Sequence, residues 1–235
     1  GPALYMAHDA VVNQQWQGAV SRWTGSAWVQ VGDPFTSSGG SGGPGVLLVF
    51  DDGTGPTLWS FGNYDHVGAA AKLVNGAWQP VDFIQLSGQL NGTGPYASDL
   101  RMFHGSLYME GYFTSVNGVA AEGAARWQNG QWTAVGPPAV GQMINIFELD
   151  LGSGPTLVGS TIIFPNTMYR LENNAWVPLG PSSPVGFGPL AIFDDGSGPM
   201  LYTSGSGYAG SSLFCRLRNN AWEEVRPGFG TPGGA

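Results

Sequence analysis

Two histidine–aspartate pairs, His8-Asp9 and Asp65-His66, are the residues best suited to hold a metal ion or to move a proton. Two imidazoles and two carboxylates that converge are sufficient ligands for zinc. The chain has three histidines and one cysteine, and neither His104 nor Cys215 stands near these pairs in sequence. We therefore expect solvated loop histidines, no metal site and no cofactor.

The signals for a catalytic nucleophile are weaker. Ser41 lies in a Gly-x-Ser-x-Gly match at 39–43, but a Ser/Gly-rich linker surrounds it and no helical pattern follows to form a nucleophile elbow. Cys215 takes a small position beside an arginine of a predicted strand, which indicates a packed, inert thiol. No phosphate loop or dinucleotide fingerprint is present. The sequence thus predicts a protein that is not an enzyme.

Aromatic residues in the predicted loops suggest a binding surface. Rings placed beside amides and carboxylates suit flat, hydroxyl-rich ligands, because the rings stack on apolar faces while the polar groups bind hydroxyls. The loops and links of this surface also hold Phe35, Phe83, Tyr96, Phe113 and Phe187, and for any one ring the favoured alternative is that it covers the end of a sheet. The best exceptions are Trp16 and Tyr64, which polar residues flank. The expected ligand-binding set is Trp16, Tyr64, His66, Tyr112, Phe164 and Tyr208.

These loops connect the strands of a fivefold repeat. Five times a basic residue precedes a tryptophan by six positions with a two-residue turn between them, and successive tryptophans are 50, 54, 44 and 46 residues apart. Units with such a period bury their apolar faces only against one another. The pairs are Arg22/Trp28, Lys72/Trp78, Arg126/Trp132, Arg170/Trp176 and Arg216/Trp222.

Each repeat is predicted to form four strands, a to d. In the third repeat they lie at 99–103, 107–111, 123–127 and 132–135, and Asn129-Gly130 between c and d is a strong hairpin signal. No helical period is sustained anywhere. We predict an all-β fold, a five-bladed β-propeller of four-stranded antiparallel blades in a single domain, with the tryptophans between blades. An open solenoid and a sandwich are the alternatives. The repeats are expected at 1–32, 45–82, 98–136, 142–180 and 188–226.

The pattern of strand b, a separate strand c and a tryptophan that opens strand d resembles a kelch repeat. The stretches Phe-Asp-Asp-Gly-Thr-Gly-Pro at 50–56 and Phe-Asp-Asp-Gly-Ser-Gly-Pro at 193–199 resemble in particular the kelch-like repeats of secreted bacterial propellers. The resemblance covers nearly the whole chain and implies a scaffold for binding rather than one activity. Ordinary kelch repeats end strand b in a glycine pair, which this chain lacks.

The first blade is expected to lack its own innermost strand. Strands b, c and d occur five times but strand a only four times, because the chain opens at strand b with Leu4-Tyr5. Three alternatives stay open: the tail after Val225 supplies a weak closing strand, the first blade has three strands, or the chain belongs to a longer array. Unpaired edge strands also predict self-association.

Strand direction alternates within a blade, so the a–b and c–d turns share one end and the b–c loops and d–a links share the other. At the first end, the basic residue of strand c is expected to bind an a–b turn aspartate. Calcium is disfavoured there because adjacent carboxylates on a strand point apart and the turns do not match a calcium-binding loop. The variable second end carries function, at b–c loops 8–18, 62–68, 112–122, 160–166 and 204–210. The candidate turn aspartates are Asp51, Asp52, Asp150, Asp194 and Asp195.

The composition limits the classes of molecule that this chain is expected to bind. Net charge is −8, and charged residues make up only 10% of the chain, so neither nucleic acid nor an anionic membrane surface is an expected partner. Low charge together with Gly, Ser, Thr and Asn richness favours an extracellular, secreted protein. The leading hypothesis is a noncatalytic module that binds carbohydrate or a protein surface. The alternatives are an assembly module or, third, a glycosidase-like hydrolase that uses Asp99 and Glu148 of the channel-lining strands.

Overall fold

The computed structural model describes residues 3–35, 44–62, 70–89, 95–136, 143–150, 152–161, 167–183, 190–206 and 212–225. These residues form six antiparallel sheets of three or four strands and no helix, so the all-β prediction is confirmed. The described part of the chain therefore holds no helix of the length and apolarity that crossing a membrane requires. The chain divides into two compact units, Gly1–Ala134 and Val135–Ala235.

The first unit contains three of the five repeat sheets. Sheet 1 has three strands, sheet 2 has four in consecutive order, and sheet 3 has four in the order β9, β10, β13, β14. The strands of sheet 1 are β1 (Tyr5–Val12), β2 (Gln15–Trp23) and β3 (Trp28–Gln30); of sheet 2, β4 (Pro44–Asp51), β5 (Pro56–Gly62), β6 (Ala70–Val74) and β7 (Ala77–Pro80); of sheet 3, β9 (Tyr96–Phe103), β10 (Ser106–Tyr112), β13 (Ala124–Gln128) and β14 (Gln131–Ala134). A sixth, small sheet consists of β8 (Leu86–Ser87), β11 (Ser115–Val116) and β12 (Val119–Ala120).

The second unit contains the last two repeat sheets, each with four strands in consecutive order. Sheet 4 comprises β15 (Met143–Asp150), β16 (Pro155–Thr161), β17 (Met168–Glu172) and β18 (Ala175–Pro178), and sheet 5 comprises β19 (Leu190–Asp194), β20 (Pro199–Ser206), β21 (Ser212–Arg218) and β22 (Ala221–Glu224). The predicted strand order a, b, c, d is therefore present in sheets 2 to 5. Sheet 1 has three strands among its described residues, as expected for a repeat without strand a.

The predicted c–d hairpins are confirmed by their backbone angles. Asn75, Asn129, Asn173 and Asn219 all have φ between 48° and 52°, and the residue after each also has positive φ. Two successive positive φ angles define the tight turn whose twist matches that of paired strands. In sheet 3 the turn places Trp132 directly opposite Trp127 across the hairpin.

Two loop predictions are wrong. Residues 8–18, expected to be a b–c loop, continue as β1 and β2 around a two-residue turn in which Asn13 and Gln14 both have positive φ. Residues 112–122, expected to be another loop, fold into the β11–β12 hairpin, which pairs with β8 from the d–a link. An Asn117-Gly118 turn between valines carried that signal in the sequence.

Within each unit, the core lies between consecutive sheets. Because side chains alternate along a strand, each sheet has one face that carries the basic residue of strand c and one that carries the tryptophan of strand d. We call these the basic face and the tryptophan face. One cluster joins the basic face of sheet 2, through Phe50, Trp59 and Phe61, to the tryptophan face of sheet 3, through Leu107 and Met109. Within each unit, neighbouring repeats thus bury one another's apolar faces, as the period predicts.

The five repeat tryptophans do not share one environment, although the sequence predicts that all of them are packed between sheets. Trp132 and Trp176 are each 4% exposed, Trp78 and Trp222 are half-buried, and Trp28 is 41% exposed. No sheet of the first unit packs on Trp28 among the described residues, so this indole keeps only its contact with Trp23 across the hairpin.

Trp176 is buried as expected, but its contacts differ from those of Trp132. Its indole lies against Gly136 in the link before sheet 4, where a Cβ would come within 2.9 Å of the indole Cδ1. Its indole N–H is buried and has no hydrogen-bond partner among the described residues, whereas the Trp132 indole donates to the Phe83 carbonyl. Trp176 thus keeps the burial of the repeat position without its hydrogen bond.

Candidate functional site

Two tyrosines stand together at the variable end of sheet 3, where β9 begins and β10 ends. Tyr96 and Tyr112 are directly opposite each other in the strand register. Their rings are stacked, with centroids 4.7 Å apart and an interplanar angle of 25°. Tyr96 is 41% exposed and Tyr112 is half-buried, so the pair presents an aromatic surface to solvent.

A bulge in sheet 3 produces this pairing. The register shifts between Glu110, which pairs with Asp99, and Gly111, which pairs with Ala97, so that Ser98 is the extra residue. The backbone of β9 passes so close to Gly111 that a Cβ there would overlap the carbonyl of Tyr96. Glycine is therefore required at this position, and the bulge re-aims the following side chains.

The tyrosine hydroxyls also meet. Burial, the neighbouring Tyr112 and a hydrogen bond between the two hydroxyl groups together raise the pKa of Tyr96 above its ordinary value. The Tyr96 phenol is consequently protonated at physiological pH. The surface offers two rings for stacking and two hydroxyl groups that can donate or accept hydrogen bonds.

Two carboxyl groups lie one register step further along the same strands. Asp99 and Glu110 are opposite each other. Glu110 is on the same face as Tyr112 because every second residue of a strand points to the same side of the sheet. Glu110 is fully buried, whereas the Asp99 side chain is 21% exposed. Burial raises the pKa of Asp99, although the Arg101 guanidinium at 3.4 Å and the Leu100 N–H at 2.8 Å favour the ionised form.

The segment that follows Tyr112 in sequence forms two strands of the small sheet, β11 and β12. Phe113 is completely buried in the core of the first unit, and the Thr114 N–H that follows it donates to the Ser87 carbonyl at 2.9 Å. The side-chain amide of Asn117 anchors the β11–β12 hairpin. Its Oδ1 accepts a hydrogen bond from the Gln85 N–H at 2.7 Å, and its Nδ2 donates one to the Phe83 carbonyl at 3.1 Å. The loops that flank the tyrosine pair are thereby connected to each other.

Of the predicted ligand-binding set, only Tyr112 has a described side chain. Trp16 lies in β2 opposite Val11 rather than in a loop, and its side chain is outside the described part of the structure. Tyr64, His66, Phe164 and Tyr208 lie outside the described residues. Sequence reasoning placed Tyr96 among the aromatic residues of the variable end but outside the expected ligand-binding set. The sequence signal that pairs it with Tyr112 is the neighbouring Gly111.

Three other loop rings do cover sheet ends, as favoured for any single aromatic residue. Phe35, Phe83 and Phe113 are 3%, 8% and 0% exposed. Phe83 packs against Trp59, Trp127 and Trp132, with centroids 4.6 to 5.5 Å away. These rings belong to the core and are not available to a ligand.

The predicted ion pair at the opposite end of the sheets is confirmed in two repeats. Lys72 Nζ lies 3.1 Å from Asp52 Oδ2, and Arg216 NH1 lies 2.9 Å from Asp195 Oδ2. The hydroxyl of Thr54 and then Lys72 lower the pKa of Asp52, and the hydroxyl of Ser197 is the main group that lowers the pKa of Asp195.

The first aspartate of each turn has a different role from the one predicted. Asp51 Oδ1 accepts hydrogen bonds from Gly53 and Gly55, and Asp194 Oδ1 accepts them from Gly196 and Gly198. Asp150 closes its turn in the same way, with Gly152 and Gly154 as donors. These carboxylates therefore fasten their own turns instead of binding the strand-c cation.

The remaining basic residues differ from the prediction. Arg170 pairs with Glu172 of its own strand, at 2.6 Å, rather than with Asp150. The third repeat has His104 and Gly105 at the a–b turn, so Arg126 has no turn carboxylate beside it. Arg22 belongs to the sheet without strand a, and no a–b turn exists there among the described residues.

Of the residues singled out for metal or nucleophile chemistry, the structure describes His8, Asp9 and Cys215. His8 lies on β1 and its Nε2 is 2.8 Å from Ser21 Oγ, while Asp65, His66 and Ser41 lie outside the described residues. Within the described ranges, no three His, Cys, Asp or Glu residues converge as metal ligands would. Cys215 is buried, and burial raises the pKa of its thiol.

Comparison of the chain with protein-family models, with curated proteins and with solved structures yields no match to any of them.

Proposed function

We propose that this chain is a noncatalytic binding module, a five-bladed β-propeller of kelch-like repeats whose variable end binds a carbohydrate through Tyr96 and Tyr112. The observation that carries the proposal is the stacked, solvent-facing tyrosine pair. A protein surface is the alternative ligand. The low charge content supports a location outside the cell, where glycans are abundant.

The chemistry of the pair suits a sugar ring. The axial C–H groups of a pyranose form apolar patches that stack on aromatic rings, and the ring quadrupole favours these partly positive hydrogens. The two phenol hydroxyls and the partly exposed Asp99 carboxyl lie beside the rings and can bind sugar hydroxyls. A nucleobase would also stack, but a net charge of −8 disfavours a ligand that carries phosphate.

The propeller arrangement is supported by the repetition of one packing mode. In the first unit, Tyr5 and Val20 of sheet 1 pack with Phe35 against Ala71 and Trp78 of sheet 2. The basic face of sheet 2 packs on the tryptophan face of sheet 3, and within the second unit sheet 4 packs on sheet 5 in the same sense. Twisted four-stranded sheets that stack repeatedly face to face are characteristic of propeller blades.

A glycan array followed by calorimetric titration of the best ligand tests the proposal. Tyr112→Ala and Tyr96→Ala should each weaken binding by roughly tenfold, the amount expected from losing one aromatic contact. Tyr112→Phe should retain most of the affinity because the ring remains. Tyr169→Ala, a half-buried tyrosine of sheet 4, is the matched control and should bind normally. Absence of glycan binding, or binding that survives both alanine variants, would refute the proposal.

One observation favours a hydrolase as the second candidate. Asp99 and Glu110 are direct cross-strand partners, so their Cβ atoms lie roughly 5 Å apart, and retaining glycosidases place their two carboxyl groups at a similar separation. The raised pKa of Asp99 is what a general acid needs. The complete burial of Glu110 opposes this candidate, because a nucleophile must reach the sugar. Hydrolysis of a bound glycan that Asp99→Asn and Glu110→Gln both abolish would establish catalysis.

A further inference from the structure

The tyrosine pair of sheet 3 has a second chemical property, which is that each ring can be oxidised. Tyr96 and Tyr112 stack with centroids 4.7 Å apart at 25°, and their hydroxyl groups share a hydrogen bond. The ortho carbons of a phenol are the two ring carbons next to the one that carries the hydroxyl group. Because the hydroxyl groups of the two stacked rings meet, ortho carbons of both rings also lie side by side, in position for a bond between them.

The pair is accessible to an oxidant in solution. Tyr96 is 41% exposed and Tyr112 is half-buried against it, so an oxidant reaches the first ring directly and the second through the stack. Tyr108 and Tyr202, by contrast, are each 6% exposed, and Tyr202 stacks on Phe214, which has no hydroxyl group to oxidise. Among the described residues, Tyr96 and Tyr112 are the only two tyrosines that stack on each other.

We propose that Tyr96 and Tyr112 form an oxidative cross-linking site, at which a one-electron oxidant joins the two rings into dityrosine. The proposal concerns the same side chains as the ligand site but does not depend on sugar binding. The oxidant is a haem peroxidase with hydrogen peroxide, which removes electrons from phenols one at a time. The product is a covalent bond between β9 and β10.

The cross-linking step conserves atoms and electrons. Each phenol loses one electron and its hydroxyl proton and becomes a phenoxyl radical, whose unpaired electron is shared with the ortho carbons. The two radicals couple through one ortho carbon of each ring, so one carbon–carbon bond forms. The hydrogen on each bonded carbon then moves to the oxygen, which restores both aromatic rings and both hydroxyl groups. The protein loses two hydrogen atoms in total, and one molecule of hydrogen peroxide takes up the two electrons and two protons to become two molecules of water.

The bond would close a loop of residues 97–111, which contains the β9–β10 turn and the bulge at Gly111. The sequence contains a single cysteine, Cys215, so an intrachain disulfide cannot close such a loop. A covalent closure restricts the unfolded chain, and a loop of about 15 residues is long enough for a substantial gain in stability. The dityrosine therefore stabilises sheet 3 in the way that a disulfide does.

Oxidation of the purified protein with a haem peroxidase and hydrogen peroxide tests the proposal. A protein concentration of about 1 µM disfavours coupling between molecules, because the two rings of one chain have a far higher effective concentration. The product should be a monomer that is lighter by two hydrogen atoms and has the fluorescence of dityrosine. Trypsin cleaves after Arg101, between the two tyrosines, so mass spectrometry should find peptides 73–101 and 102–126 joined through Tyr96 and Tyr112.

Phenylalanine variants show which rings react. Tyr96→Phe and Tyr112→Phe should each abolish the cross-link, and because each keeps its ring in the stack, the loss does not report misfolding. Tyr169→Phe, which changes a half-buried tyrosine of sheet 4, is the matched control and should cross-link like the natural sequence. Tyr112→Phe also separates the two roles of the pair, since it should retain most of the sugar affinity while it loses the cross-link.

The stabilisation by the cross-link is measured in a thermal scan. The cross-linked protein should unfold about 5 °C or more above the untreated protein, whereas peroxidase treatment of Tyr112→Phe should leave its midpoint unchanged. Absence of coupling, coupling only between molecules, or a cross-link that survives Tyr112→Phe would overturn the proposal. A cross-linked protein that unfolds at the midpoint of the untreated protein would overturn the stabilising role.

Discussion

The contribution of the repeated tryptophan can be measured by comparing Trp132→Ala with Trp28→Ala. Each indole stands at the start of a strand d, and each is paired with a tryptophan of strand c across the hairpin. The geometry within the hairpin is nearly identical: Trp127 and Trp132 have centroids 5.6 Å apart at 57°, and Trp23 and Trp28 have centroids 5.4 Å apart at 55°. The two substitutions therefore remove the same contact within a sheet.

They differ in the contact between sheets. Trp132 packs on Phe83 with centroids 5.5 Å apart and donates to its carbonyl, whereas Trp28 is largely exposed. Truncating a buried tryptophan costs about 3–5 kcal/mol of unfolding free energy. The exposed one contributes mainly its aromatic pair, about 1 kcal/mol. The difference, about 2–4 kcal/mol, measures the packing between sheets 2 and 3 at this residue.

Urea unfolding followed by circular dichroism gives both free energies, provided that the denaturant dependence m is unchanged. In a thermal scan, Trp132→Ala should unfold at least about 6 °C below the natural sequence, and Trp28→Ala within a few degrees of it. Trp132→Phe retains the ring but loses the indole N–H, and should cost about 0.5–1.5 kcal/mol. Equal destabilisation by Trp28→Ala and Trp132→Ala would refute the reasoning, because the indole would then act within its own hairpin.

Three further outcomes follow from groups whose environment is known. Asp99→Asn should raise the unfolding midpoint at neutral pH, because the folded protein holds this carboxyl at a raised pKa and ionisation therefore opposes folding; the gain should shrink as pH falls through that raised pKa. Asp52→Asn should have the opposite effect and lower stability by about 0.5–1 kcal/mol, a loss that is complete above the ordinary carboxyl pKa of about 4 and vanishes as pH falls through the lowered pKa of Asp52. Urea titrations at several pH values check both. Gly111→Ala should cost more than about 2 kcal/mol, since its Cβ overlaps the Tyr96 carbonyl, and an unchanged midpoint would contradict the bulge. Cys215 should resist iodoacetamide at pH 8 in the folded protein and react at once in urea, as mass spectrometry would show, because burial raises the pKa of its thiol.

Structural features that form within a single repeat, such as the c–d turns and the ion pairs at the a–b turns, were predictable from the sequence. The Asn-Gly and Asn-Asn turns need two successive positive φ angles, which few residue types adopt, and all four formed where expected. The Lys72–Asp52 and Arg216–Asp195 pairs were predictable because strand c lies beside the a–b turn whatever the rest of the fold does. The two folded loops were missed because short strands carry little periodicity, and β8 pairs with a partner 28 residues away.

The candidate site depended on longer-range geometry. Tyr112 was expected at a ligand surface, but its partner could not be assigned from residue type alone. A one-residue bulge decides whether Tyr96 faces Tyr112 or points to the opposite side of the sheet, because side chains alternate along a strand. The bulge depends in turn on how closely β9 can approach Gly111, which is a property of the paired strands.

The sequence by itself determined the order of the strands in the five repeat sheets, the Asn-Gly and Asn-Asn turns and two of the ion pairs, because these rest on local backbone preferences and a fixed hydrophobic period. Only the tertiary structure decided which copies of a repeated residue are buried. Trp176 and Trp28 open the same strand of the repeat, and Phe50 and Phe193 have the same neighbours in sequence, yet one of each pair is covered and the other is exposed. Burial depends on the chain segments that pack against a face, and these lie far away in sequence.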